Sequence, residues 1–201
     1  MIPVRDDLRV LEGYHSAQVD VEVRLNTNES PFAPPDRFRD ALAAEISRVD
    51  WNRYPDRSAQ ALRADIAALH GVDPAQVFVA NGSNEVLQTV LLAYAGPGRT
   101  VATFEPTYQM HAQIARVTGA TVVEGERGAD FTLDPAEVDR VLAQAQPDVV
   151  FLTSPNNPTG LVEPRARVDQ LLASAPGLVV VDEAYAQFAH WTALDLVDES
   201  R

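Results

Sequence analysis

From Val77 to Val181 short unbroken apolar runs alternate with amphipathic stretches, and that rhythm constrains the fold more than anything else in the sequence. The runs are Val77–Ala80, Thr100–Phe104, Ala120–Val123, Asp148–Leu152 and Leu178–Val181. Helical spacing fills 84–94, 107–117, 134–144 and about 164–173 between them. A strand that is apolar at every position is buried on both faces, and strands joined through helices run parallel. The pattern predicts an α/β fold, a mostly parallel sheet between two helical layers. Ligands of such sheets bind at the carboxyl ends of the strands. The sequence places its unusual strings there: Asn81-Gly82-Ser83-Asn84, Glu105-Pro106-Thr107-Tyr108, Ser154 to Gly160, and Asp182-Glu183-Ala184-Tyr185.

Before Val77 the chain reads differently. Residues 1–33 form an expected extended arm, with alternating Val19, Val21, Val23 and Leu25 ahead of Asn26-Thr27-Asn28-Glu29-Ser30-Pro31. Pro34-Pro35 opens a helix whose apolar face is Ala41, Leu42, Ile46 and Val49. A turn around Tyr54-Pro55 leads to a second helix, with Ser58 as expected cap, Leu62, Ile66 and Leu69 on one face, and Gly71 as its end. The expected organisation is an arm, 1–33, and one α/β domain, 34–201.

Composition removes whole classes of function. The 29 acidic residues outnumber the 16 basic ones, and the resulting net charge of −13 repels nucleic acid and anionic lipid. Without cysteine there is no disulfide scaffold, zinc-thiolate site or cysteine nucleophile. The first 25 residues are charged throughout and no run suits a membrane span, so the expected location is the cytoplasm. His15, His70, His111 and His190 form no metal-spaced pair, and no G-x-S-x-G string occurs. All 16 basic residues are arginine, which leaves the Met1 α-amine as the only primary amine.

Four strings carry chemistry. Asn81-Gly82-Ser83-Asn84-Glu85 reads either as an anion site at a helix N-terminus, most simply for phosphate, or as a capped strand-to-helix turn. Tyr108, in the first turn after a strand, could lie flat on a planar ligand or pack in the core. Ser154-Pro155-Asn156-Asn157-Pro158-Thr159-Gly160 holds two amides at the ligand edge, where an amide can donate to a phenolate oxygen. The run ending in Asp182 places a carboxylate at a strand end, suited to Mg²⁺ or to a pyridinium nitrogen. The Mg²⁺ reading needs a P-loop lysine, and the chain has none.

Together "ANGSNE", "EPTYQMH", "SPNNPTG" and "VVVDEAY" resemble the fold-type-I pyridoxal-phosphate aminotransferases. "GYHSAQVDVEVRLNTNESP" and "NRYPD" resemble the histidinol-phosphate aminotransferase family within them, with E-S-P where that family has E-N-P. The resemblance implies that Ser83 and Asn84 N–H groups hold the cofactor phosphate, that Tyr108 stacks on the ring, that Asn157 and Tyr185 bond its phenolic oxygen, and that Asp182 pairs with its nitrogen. It further implies that Tyr54 reaches the partner subunit's cofactor in a homodimer, and that Tyr14, Asn26, Asn28 and Glu29 line the substrate site. The implied reaction exchanges an amino group between glutamate and imidazole-acetol phosphate, in histidine biosynthesis.

The family also carries a Schiff-base lysine a few dozen residues after D-E-A-Y, a phosphate-binding arginine beyond it, and a C-terminal small domain. The expectation is therefore an incomplete large domain preceded by its arm, inactive alone. Related alternatives are an aromatic aminotransferase or a threonine-phosphate decarboxylase-like enzyme. An alternative of another class is a non-catalytic remnant or dimerisation module.

Overall fold

A computed structural model describes residues 2–9, 11, 17 and 19–197. The chain divides into two compact units, Gly13–Val79 and Ala80–Arg201, the latter with Met1–Glu12. Each is described by itself.

The smaller unit holds two helices. Helix α1 (Asp36–Ile46) starts after Pro35, whose φ of −56° is already near helical. Its apolar face is not covered: Leu42, Ile46 and Val49 are each close to half exposed. Helix α2 (Gln60–His70) ends at Gly71, which turns left-handed at φ 69° and returns its N–H to the Ala67 carbonyl. Its start differs from expectation. Asp56, rather than Ser58, accepts the Gln60 N–H at 2.8 Å and the Ser58 N–H at 3.0 Å. A carboxylate has lone pairs for several donors, and the left-handed Ala59 brings the Gln60 N–H over it. The Gln60 N–H, with Ser58, holds the Asp56 carboxyl below its ordinary range.

The run Val77–Ala80 is not a strand. Its first backbone groups are already used: the Val77 N–H goes to the Pro74 carbonyl and its C=O accepts from Arg63 Nε at 2.8 Å. Phe78 is largely exposed. A short apolar run cannot pair in a ladder when a neighbouring turn has claimed its hydrogen bonds.

The larger unit is the expected α/β sandwich of layers. Its elements are α3 (Ser83–Tyr94), β1 (Thr100–Glu105), α4 (Met110–Thr118), β2 (Thr121–Glu126), α5 (Pro135–Ala145), β3 (Val149–Thr153), α6 (Arg165–Ser174) and β4 (Leu178–Asp182). All pairings are parallel, in the order β2-β1-β3-β4. Successive side chains point to opposite faces. Val101, Val149 and Phe151 meet Leu87, Leu91 and Ala115 of α3 and α4 on one face. Ala102, Phe104, Val150 and Leu152 meet Val138, Val141, Val168 and Leu171 of α5 and α6 on the other. The inner strands are thus largely apolar because both faces are covered, with Thr103 and Thr153 as buried polar exceptions.

Gly177 is required by close approach: a Cβ there would lie 2.2 Å from the Asp148 carbonyl oxygen. That approach sets the register, since the Leu178 N–H donates to the same oxygen at 2.9 Å and places Asp182 beside Thr153.

Helix α5 is tied to β2 through Glu137, which accepts from Arg140 and from the Glu126 N–H at 2.9 Å. The Arg140 guanidinium brings the Glu137 carboxyl from an ordinary 4.5 to about 2, against partial burial and with help from the Glu126 N–H. A carboxyl depressed in the folded state contributes stability that is present above its ordinary value and lost as pH falls toward the folded value. We expect the wild-type chain to lose more stability than Glu137→Gln between about pH 5 and pH 2.5. Urea unfolding across that range measures it; identical losses in the two chains would contradict the assignment.

Candidate functional site

The carboxyl ends of β1, β3 and β4 and the start of α3 surround a cavity of about 100 Å³ lined by Ser83, Tyr108, Thr153, Asn157, Asp182, Ala184 and Tyr185. Five of the residues singled out from sequence line it: Ser83, Tyr108, Asn157, Asp182 and Tyr185. Asn84 adjoins them, its Oδ1 accepting from the Tyr108 hydroxyl at 3.1 Å.

Each arrives for a local reason. Gly82, at φ 84°, turns the chain into α3 and offers no side-chain cap. The first-turn N–H groups of a helix have no partner within it, so those of Ser83 and Asn84 suit an anion. Glu85, which could have competed, accepts the Asn81 N–H at 2.5 Å. The D-E pair divides its labour. Asp182 faces the cavity, whereas Glu183 accepts from the Thr192 hydroxyl at 2.6 Å and the Ala193 N–H at 2.7 Å and so fixes the following chain.

The two amides of the proline-rich loop also separate. Asn157 is half-buried and lines the cavity. Asn156 is buried; its Oδ1 accepts from the Thr107 hydroxyl at 2.9 Å, and its Nδ2 donates to the Pro106 carbonyl at 3.0 Å and the Thr159 hydroxyl at 2.9 Å.

His111 is the residue that sequence reasoning missed. Its side chain is fully buried and its Nε2 lies 2.9 Å from Asp182 Oδ2. The ring stacks on Phe151 at 4.4 Å and meets the Tyr108 ring edge-on at 5.4 Å. Burial pushes the Asp182 carboxyl up, but the His111 hydrogen bond and charge, with the Ala184 N–H, outweigh it and hold the carboxyl below its ordinary value. An ionised Asp182 is acceptor only, so the proton between the two sits on Nε2. His111 Nδ1 has no partner among the described residues. The available signal was the i, i+3 spacing from Tyr108; its acidic partner is 71 residues away.

The other candidates belong to the smaller unit or lie outside the description. Tyr54 is fully exposed. Asn26 donates to the Ala17 carbonyl at 2.7 Å, Glu29 lies 3.7 Å from Arg24, and Asn28 has a left-handed backbone at φ 56°. Tyr14 lies outside the described residues.

These residues fit a phosphorylated pyridine. Asp182 is anionic and half-buried, and each oxygen has accepting capacity beyond its one bond. An amide and a phenol stand beside it, an aromatic ring forms one wall, and an uncapped helix start lies at the edge.

This arrangement is chemically suited to a planar, phosphorylated cofactor, and the comparisons give the family. The aminotransferase class I and II family pattern matches residues 20–199, so the chain belongs to that family, whose members use pyridoxal phosphate. More particularly, it is 50% identical over 199 residues to the histidinol-phosphate aminotransferase of Frankia casuarinae, covering 93% of this chain and 50% of that one. It is equally 50% identical over 191 residues to that of Thermobifida fusca, covering 93% and 52%. The chain thus spans about half the length of the curated relatives it matches. In fold it resembles the Sinorhizobium meliloti histidinol-phosphate aminotransferase solved in complex with pyridoxal-5'-phosphate, with a TM-score of 0.72 at 24% identity, covering 80% of this chain and 44% of that one. Among the described residues no helix is long and apolar enough to cross a membrane.

Proposed function

We propose that the chain supplies the cofactor-binding half of a histidinol-phosphate transaminase, which exchanges an amino group between L-glutamate and imidazole-acetol phosphate. The observation that carries the cofactor reading is the half-buried Asp182, paired with the buried His111, in a cavity that Tyr108, Asn157 and Tyr185 also line. The substrate reading rests on the 50% identity to histidinol-phosphate aminotransferases.

In this reading bound pyridoxal phosphate supplies an electron sink for chemistry at the substrate's amino-bearing carbon. Asp182 keeps the ring nitrogen protonated through an ion pair, and His111 keeps Asp182 ionised and oriented. Asn157 and Tyr185 bond the ring's phenolic oxygen. Tyr108 covers one ring face, its hydroxyl tethered to Asn84. The Ser83 and Asn84 N–H groups take the phosphate. Tyr54 reaches the cofactor of a second subunit in a homodimer, and Tyr14, Asn26, Asn28 and Glu29 contact the small-molecule substrate. The division into an arm, 1–33, and part of a large domain, 34–201, belongs to the same reading, as does a cytoplasmic location. The 201 residues contain no lysine, so they hold the cofactor without a covalent anchor from an ε-amine.

The test is to express the complete reading frame that encodes this chain and assay it with 2-oxoglutarate as acceptor. L-histidinol phosphate should be the preferred amino donor by kcat/KM. Preference for an aromatic amino acid, decarboxylation of threonine phosphate, or absence of turnover would each overturn the substrate reading.

A further inference from the structure

Beneath the cavity lies a buried polar cluster to which the proposed function gives no task. Thr107, Thr153 and Asn156 are 7%, 3% and 2% exposed. They join the loop carrying Tyr108 to the loop carrying Asn157, across separations of 46 and 49 residues. Buried polar groups that are fully bonded rigidify their surroundings and specify one arrangement.

The direction of the bonds can be worked out from donor capacity. The Asn156 amide nitrogen is committed to the Pro106 carbonyl and the Thr159 hydroxyl, so Oδ1 faces Thr107. An amide oxygen only accepts, so the single Thr107 hydroxyl proton goes to it. The contact between the Thr107 and Thr153 oxygens, 3.0 Å, must then use the proton of Thr153. The chain of bonds runs in one sense, from Thr153 to Thr107 to Asn156 and on to the Pro106 carbonyl. Thr153, one of the residues lining the cavity, spends its hydroxyl proton on Thr107.

We infer that Thr107 and Asn156 are positioning residues: their directed hydrogen bonds hold the Tyr108 and Asn157 loops at the spacing that grips a pyridine ring. Neither Thr107 nor Asn156 lines the cavity. The inference rests on the cofactor reading above. Its structural part, the clamp itself, can be judged separately.

The probe is pyridoxamine 5'-phosphate, which has no aldehyde to react with the Met1 amine. Its binding to the 201-residue chain is followed by fluorescence titration and by the circular dichroism induced in the bound ring. Thr107→Val keeps the shape and removes the hydroxyl; Thr107→Ser keeps the hydroxyl and removes a methyl. Thr107→Val should raise Kd about tenfold and change the induced dichroism, one tenfold being worth about 1.4 kcal/mol. Thr107→Ser should restore both to near wild type, at a temperature well below either unfolding midpoint. Wild-type Kd and dichroism in Thr107→Val would overturn the inference. Equal losses in Val and Ser variants would also overturn it, since they report packing alone.

A second readout separates the clamp from the cofactor. The Asn156 side-chain amide protons should exchange slowly in wild type and Thr107→Ser, and fast in Thr107→Val. Should the wild-type chain bind no probe, the cofactor reading fails, and with it the positioning role; slow Asn156 exchange in Thr107→Val would remove the clamp whatever the probe does.

Discussion

Arg127→Met should destabilise the chain by about 3–5 kcal/mol, the cost of stripping one partner from a buried ion pair. The Arg127 and Glu163 side chains are 1% and 3% exposed and form a direct ion pair. Arg127 also donates to the Phe104 carbonyl and the Phe131 carbonyl, each at 3.2 Å. Glu163 is anchored by its backbone: its N–H donates to the Ser154 hydroxyl at 3.1 Å, and its carbonyl accepts from the Trp191 indole at 3.0 Å. Removing the guanidinium leaves the Glu163 carboxylate, 3% exposed, without its charge partner. The same account requires that Arg127→Met with Glu163→Leu be less damaging than Arg127→Met alone, because the double variant buries no unpaired charge. Urea unfolding followed by Trp191 fluorescence, in a Trp51→Phe background, measures all three chains. A loss below about 1 kcal/mol for Arg127→Met would show that the pair is solvated and worth no more than a surface bridge.

Asp182→Asn should weaken pyridoxal phosphate binding by roughly 10- to 150-fold. The substitution keeps the size of the side chain and leaves an oxygen for His111, but removes the charge that meets a cationic ring nitrogen. Hydrogen bonds to charged groups contribute about 1.5–3 kcal/mol, and each 1.4 kcal/mol is a factor of ten. Tyr108→Phe gives the contrast. It keeps the ring that forms the cavity wall and loses the neutral bond to Asn84, so its effect should stay within about tenfold. Equilibrium dialysis against the cofactor compares the two. Equal losses would mean that Asp182 does not face the nitrogen.

What could be read from the residues was what neighbouring residues settle among themselves. The inner strands β1 and β3 announce themselves by largely apolar runs, and the carboxyl ends of β1, β3 and β4 with the start of α3 bring Ser83, Tyr108, Asn157 and Asp182 to one edge. Val77–Ala80 carries the same signature but is not a strand; Arg63 and Pro74 hold the backbone groups of its first residue, Val77. Ser58 looked like a cap, but Asp56 has the greater accepting capacity. The local residue types do not distinguish the two amides of Asn156-Asn157; Thr107, Pro106 and Thr159 together hold Asn156 inward. His111 with Asp182 and Arg127 with Glu163 are pairs of opposite charge or polarity separated by 71 and 36 residues, and nothing local marks either member.

The central claim is that Asp182 receives the ring nitrogen of pyridoxal phosphate at the carboxyl edge of the sheet. The most direct measurement is the ¹⁵N chemical shift of ring-labelled pyridoxal phosphate bound to the chain, at a pH where the free cofactor's nitrogen is neutral. A nitrogen paired with Asp182 will show the protonated shift when bound. A bound nitrogen that keeps the shift of the free, neutral ring would contradict the account.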